Sequence, residues 1–216
     1  MFIVFDLDGT LIDSIGDLVT AVNALVEERG GRRLRHEEVA RMVGEGAALL
    51  VGRAFEAAGV PGDAAAALPR FLEIYDAVLP GTTRPYPGVA GMVHALEAVA
   101  PLAVLTNKPA DATRKILAAH GLDRCFVEVI GGDGPYRRKP HPDGLLHLIE
   151  AAGASPADTW MVGDSTVDLR TAHAAGTRAC IVRYGFGYAV FDHAAVAGDE
   201  VFVDHPSEIL GLAGSR

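Results

Sequence analysis

Short apolar runs with no polar alternation punctuate this chain. Phe2-Ile3-Val4-Phe5 is the first. Similar runs recur at Leu102-Ala103-Val104-Leu105, Cys125-Phe126-Val127, Thr159-Trp160-Met161-Val162, Ala179-Cys180-Ile181-Val182 and, more weakly, Val201-Phe202-Val203. Runs of this length, rich in β-formers and apolar at every position, predict strands buried on both faces of a parallel sheet. Between them the period changes to that of a helix. Val89, Met92, Val93 and Leu96 fall at i, i+3, i+4 and i+7. Leu145, Leu146 and Ile149 share one face, as do Leu169, Ala172 and Ala175. Strands alternating with such helices predict βαβ units, and hence an α/β fold.

The alternation stops between about Asp13 and Pro80, where only helical patterns occur. Ile15, Leu18, Val19, Val22, Leu25 and Val26 form one apolar stripe, with Ser14 placed to cap it. Val39 to Val43 and Ala47 to Ala58 predict two more helices. Leu68, Phe71, Leu72, Tyr75 and Leu79 predict a fourth, with Pro69 near its start. Pro80-Gly81 and the stretch from Pro85 to Gly88 mark the return to strand and helix. An all-helical block is thus expected as an insertion after the first strand. It divides the chain into a core of residues 1–13 and 82–216 and a second unit of residues 14–81.

Composition narrows the class. The chain has 216 residues, 50% hydrophobic and 22% charged, a globular balance with room for one core and a smaller appendage. Its net charge of -9 argues against a nucleic-acid partner, which would select a basic surface. Cys125 and Cys180 make neither a disulfide framework nor a zinc motif, and are expected in core strands. No apolar run approaches a membrane span, and Asp6 interrupts the first run at once, so neither a membrane segment nor a signal peptide is read. The expected place is the cytoplasm. Only three lysines occur, Lys108, Lys115 and Lys139, so positive charge is placed sparingly.

The candidate chemistry sits where the predicted strands end. The first strand runs into Asp6-Leu7-Asp8-Gly9-Thr10. Ligands of open α/β sheets bind at the carboxyl ends of strands. Of two carboxylates there, one can attack a phosphoryl centre and the other can handle protons. Taken alone, the segment also reads as a solvated turn. The second strand ends in Thr106-Asn107, where a hydroxyl can bond a phosphoryl oxygen or merely cap a helix. Lys139 precedes a helix starting near Pro142, as a site cation or a surface lysine. Gly163-Asp164-Ser165-Thr166-Val167-Asp168 follows another strand and carries two carboxylates four apart.

Taken together and in this order, DLDGT at 6–10, Thr106, Lys139 and GDSTVD at 163–168 resemble the haloacid dehalogenase superfamily of aspartate-nucleophile phosphotransferases. The resemblance spans nearly the whole chain. It implies a Rossmann-like parallel sheet with helices on both faces, and a helical C1 cap as the insertion. It implies Asp6 as nucleophile, forming an aspartyl phosphate, and Asp8 as the group that serves the leaving oxygen and then the hydrolytic water. Mg²⁺ would be held by Asp6, the Asp8 carbonyl and Asp164, with Asp168 assigned to the same metal site, more as its support. Thr106, Asn107 and Lys139 would hold the phosphoryl group. The four carboxylates, one divalent cation and Lys139 would leave that cleft with a formal charge of -1.

Inside the superfamily the chain is similar to the phosphoglycolate phosphatases. The similarity is carried by FDLDGTLIDS at 5–14, MVGEGAALLVGRAF at 42–55, YPGV at 86–89, LTNKP at 105–109, GGD at 131–133, KPHPDGLL at 139–146 and YGFGY at 184–188. On that resemblance Gly44 and Gly46 would let the cap backbone approach the substrate, and Arg53 would pair with a substrate carboxylate. Gly44 and Gly46 also read as a helix-breaking turn, and Arg53 as a solvated residue. His141 and His147 read as structural. The implied partner is a small phosphorylated metabolite, acted on by a monomer or homodimer; sugar phosphates, nucleoside monophosphates and pyrophosphate stand as alternatives to 2-phosphoglycolate. A phosphoglucomutase-like transferase would keep the same residues. A dehalogenase would have no use for Asp8, and a bare receiver module would have none for a helical insertion.

Overall fold

The computed structural model describes residues 1–214. Six strands form a parallel sheet in the order β5-β4-β1-β6-β7-β8: β1 (Phe2–Phe5), β4 (Leu102–Leu105), β5 (Glu128–Ile130), β6 (Thr159–Gly163), β7 (Arg178–Val182) and β8 (Val201–Val203). The remaining two strands, β2 (Ile12–Asp13) and β3 (Arg84–Pro85), pair antiparallel. β1 is buried along its whole length, and its side chains alternate between two apolar clusters. Ile3 and Phe5 join one, Phe2 and Val4 the other. A strand whose two faces both meet apolar surface has to read as a continuous apolar run.

Helices cover both faces: α5 (Val89–Glu97), α6 (Ala110–Ala119), α7 (Asp143–Ala151), α8 (Thr166–Ala175) and the short α9 (Pro206–Ile209). Four more helices lie between β2 and β3: α1 (Ile15–Glu28), α2 (His36–Ala40), α3 (Ala47–Ala58) and α4 (Ala64–Val78). They pack mutually through Leu18, Val22, Leu25, Val51, Phe55 and Phe71, all buried. No described helix is long and apolar enough to cross a membrane.

Several local expectations are corrected. Cys125-Phe126-Val127 is not a strand. The Cys125 N–H closes a turn on the Leu122 carbonyl, Val127 is 67% exposed and only its N–H reaches β4, at the Leu102 carbonyl (2.8 Å), and the paired register starts at Glu128. Cys180 lies in β7 as expected, whereas Cys125 lies outside any strand. The second helix starts at His36 because Glu38 accepts the Arg35 N–H, and it ends before Val43. The fourth starts at Ala64, capped by Asp63, so Pro69 falls inside it. Leu148, not Leu146, completes the buried face of α7, and Leu146 is exposed. Ser14 precedes α1 but makes no cap bond; its hydroxyl turns instead to Asp8.

Candidate active site

The sheet order places β1 between β4 and β6, and the chain departs in opposite directions on its two sides. That is a topological switch point, where the carboxyl ends of adjacent strands leave a crevice. Asp6 follows β1, Thr106 follows β4 and Asp164 follows β6, so all three meet there. Gly9 turns the chain beneath them at φ +85°, and a Cβ on it would lie 1.9 Å from Asp164 Oδ2. Only glycine meets both demands.

Asp6 is 7% exposed. Its Oδ1 accepts the Leu7 N–H at 2.7 Å and lies 2.8 Å from Lys139 Nζ. Lys139 also donates to Asp168 Oδ1 at 2.6 Å. Asp168 Oδ2 takes the Ser165 N–H at 3.1 Å and the Ser165 hydroxyl at 2.6 Å. Both Asp168 oxygens are therefore engaged, and this residue holds Lys139 and the start of α8 in place. Asp164 Oδ2 accepts the Gly187 N–H at 2.7 Å, which ties the YGFGY segment to the site. Tyr184 from the same segment donates its hydroxyl to the Thr10 carbonyl at 3.0 Å.

The electrostatics are strained. Burial first, and then the Asp168 charge, push the Asp6 carboxyl up to about 7 despite Lys139. Burial, with Asp168 and Asp6, raises Asp164 as well. Burial lowers Lys139, but Asp168 and Asp6 outweigh it and hold the ammonium above its ordinary range. Oxygens of Asp6, Asp164 and Asp168 lie within 4.8 Å of one another. Three buried carboxylates at that spacing, offering oxygen alone, fit a hard divalent cation such as Mg²⁺. Asp6 and Asp164 are the ones with the capacity to ligate it.

Asp8 has different company. Lys108 Nζ lies 2.7 and 3.0 Å from its two oxygens, and Ser14 donates its hydroxyl to Oδ1. Burial lowers the Lys108 ammonium, yet the Asp8 charge more than restores it and the group stays cationic. Lys108 thus pairs with Asp8, while Lys139 pairs with Asp6 and Asp168. Formally, four carboxylates against two buried lysines leave a charge of -2, which one divalent cation would cancel.

Above these groups lies a cavity of about 40 Å³. Asp6, Asp8, Thr106, Asn107 and Lys108 line it from the sheet edge. Gly44, Gly46, Leu50, Phe71 and Tyr75 are among the residues lining it from the helical block. Asn107 Nδ2 bridges the two by donating to the Gly44 carbonyl at 2.9 Å and the Lys139 carbonyl at 3.0 Å. Gly46 sits at φ +95°, where a side chain would be strained. Thr106 Oγ1 accepts the Lys108 N–H at 3.2 Å, which fixes that turn.

Arg53 is not brought to the cavity. Its guanidinium binds Glu45 and the Met42 carbonyl, and it is absent from the lining. His141 and His147 also lie outside, paired with Asp143 and Glu128. Conversely, Ser14, Tyr75 and the Asp8 contact of Lys108 were missed as site features. Lysine scarcity pointed to Lys108. Tyr75 had no signal, because it reads as one more position of an apolar helical stripe.

The chain belongs to the haloacid dehalogenase-like hydrolases, whose family model matches residues 3–182. Among curated relatives, the phosphoglycolate phosphatase of Rhodospirillum rubrum is 39% identical over 91% of this chain and 89% of its own length. That of Photobacterium profundum is 33% identical over 98% and 94%. The crystal structure of a predicted phosphoglycolate phosphatase from Haemophilus somnus superposes with a TM-score of 0.90 at 33% identity, covering 98% of this chain and 96% of that one. The chain is a phosphatase of this family.

Proposed function

We propose that this phosphatase hydrolyses 2-phosphoglycolate to glycolate and phosphate through an aspartyl phosphate on Asp6. The observation that carries the mechanism is the division of labour between two neighbouring carboxylates. Asp6 faces Lys139 and the other acids, whereas Asp8 faces Lys108, Ser14 and the helical block. In this reading an Asp6 oxygen attacks phosphorus and the bond to the leaving oxygen breaks. Asp8 gives that oxygen a proton. Water then attacks the phosphoryl group, Asp8 takes the water's proton, and the bond from phosphorus to Asp6 breaks. Thr106 and Lys139 hold the phosphoryl oxygens, so positioning and charge stabilisation supply most of the catalysis.

The Asp6 and Asp164 side chains and the Asp8 carbonyl would hold Mg²⁺, supported by Asp168. Bound there, the cation neutralises the carboxylate cluster and polarises the phosphoryl group. Residues 14–81 act as a cap that selects the leaving group. The cavity is far smaller than the several hundred Å³ of a site for a drug-sized ligand, which favours a short leaving group. The relatives' activity supports the same choice. The cap opens and closes about the segments near 13–16 and 80–86 so that substrate enters and water is then controlled.

A screen of small phosphorylated metabolites with Mg²⁺ tests the reading. The highest kcat/KM is expected for 2-phosphoglycolate. A sugar phosphate, nucleoside monophosphate or pyrophosphate turned over faster would replace it. Transfer of the phosphoryl group to a second hydroxyl, seen in the products, would make the chain a mutase-like transferase.

A further inference from the structure

The cavity holds polar atoms that this chemistry does not use. Tyr75 is 3% exposed and lines the cavity; the neighbour of its hydroxyl is the Lys108 ammonium, with no well-aligned hydrogen bond between them. A buried hydroxyl without such a bond is rare in a folded interior, because losing water without gaining a well-placed partner is costly. Tyr75 is held rigidly. Its ring stacks on Phe71, with centroids 5.8 Å apart and planes 7° from parallel. Lys108 Nζ lies 4.8 Å from the Tyr75 ring centroid. An ammonium from the sheet edge and a phenol from α4 therefore stand side by side, next to Asp8.

We propose that Lys108 and Tyr75 form a carboxylate-binding subsite for the leaving group, a proposal that rests on the phosphatase reading above. Among the described residues lining the cavity, Lys108 is the one cation. The ammonium carries three protons; it bonds the two oxygens of Asp8 and lies beside the Tyr75 hydroxyl. The phenol adds a neutral donor without further charge. Asn107 Oδ1, unpartnered and buried, is an acceptor and takes no part in holding an anion. Arg53 is committed to Glu45 and Met42.

The spacing suits a two-carbon acid. Its carboxylate lies one carbon beyond the ester carbon, beside the group that serves the leaving oxygen, and Lys108 is bonded to that group. Lys108 also offsets the repulsion that Asp8 would exert on an incoming anion. Because one donor belongs to the core and the other to the helical block, a carboxylate bound between them ties the two together. A leaving group without a carboxylate loses that tie.

The test is a selectivity ratio: kcat/KM for 2-phosphoglycolate divided by kcat/KM for ethyl phosphate, which has a methyl group in place of the carboxylate. Wild type, Tyr75→Phe, Lys108→Met and Lys108→Arg are compared with Mg²⁺ present. The ratio is expected to fall about tenfold or more in Tyr75→Phe and Lys108→Met, with partial recovery in Lys108→Arg. Losses common to both substrates, from a displaced Asp8 or reduced folding, cancel in the ratio. An unchanged ratio in Tyr75→Phe and Lys108→Met overturns the subsite, even where wild type prefers 2-phosphoglycolate. If Tyr75→Phe does not fold, the two lysine variants decide alone. If wild type prefers another substrate in the screen, the phosphoglycolate reading fails, and the variants' ratio still decides the subsite.

Discussion

Asp6 and Asp8 stand two residues apart and yet occupy different electrostatic surroundings. Asp6 is enclosed by carboxylates and one lysine, and its carboxyl is pushed up to about 7 by burial and by Asp168. Asp8 lies against Lys108 and Ser14 at the cavity. The two residues should therefore fail differently. Asp6→Asn removes the nucleophile, and turnover should drop on the order of 10⁴-fold or more. Its thermal midpoint should not fall, because amide for carboxylate removes one of three crowded charges. Retained turnover would end the assignment. Asp8→Asn should cost about 10² to 10⁴-fold on an alkyl phosphate. The loss should be much smaller for p-nitrophenyl phosphate in the phosphorylation step, since that leaving group departs without a proton. Equal losses in burst kinetics on both substrates would contradict the proton role of Asp8.

The connections between the helical block and the sheet are elements that sequence periodicity does not show. β2 and β3 pair over two residues each, and Asp17 of α1 grips the returning strand. Its carboxylate accepts the backbone N–H of Thr82 and of Thr83 at 2.7 and 3.1 Å, and their hydroxyls at 2.8 and 2.7 Å. Asp17→Ala would leave four donors without this acceptor, and should cost about 2–4 kcal/mol in chemical denaturation. Burial raises the Asp17 carboxyl, but the bonds from Thr82 and Thr83 outweigh it and hold the pKa below the ordinary 3.8. A folded-state pKa below the unfolded one stabilises the fold above the unfolded value, and the gain is lost as pH falls through the folded pKa. Wild type should therefore lose more stability than Asp17→Asn on going from about pH 5 to pH 2. Parallel loss in both proteins would show that Asp17 does not carry this acid dependence.

At the scale of the whole molecule the sheet gathers four acids from two distant segments and sets two buried lysines against them. Mg²⁺ should raise the thermal midpoint of the enzyme, by about 5 °C at a hundredfold excess over its Kd. Asp164→Asn should remove most of that rise, and a rise of the same size in Asp164→Asn would place the cation elsewhere. The alternating runs of apolar residues were enough to dictate a parallel sheet with a helical insertion, because burial on two faces leaves a pattern in the linear chain. Asp6, Asp8, Thr106, Lys139 and Asp164 were legible too, since each stands at a strand end or just before a helix. Roles that depend on which side chain meets which were not legible. Arg53 looked available for an anion, and only the turn carrying Glu45 shows it engaged. Lys108 stood out only as one of three lysines, and only the packing of β1 beside β4 sets it against Asp8. Tyr75 looked like core, and only the packing of α4 over the sheet edge brings it to the cavity wall beside Lys108. Periodicity records whether a residue is buried; the partner it finds there depends on groups brought together from across the chain, such as Asp8 and Lys108.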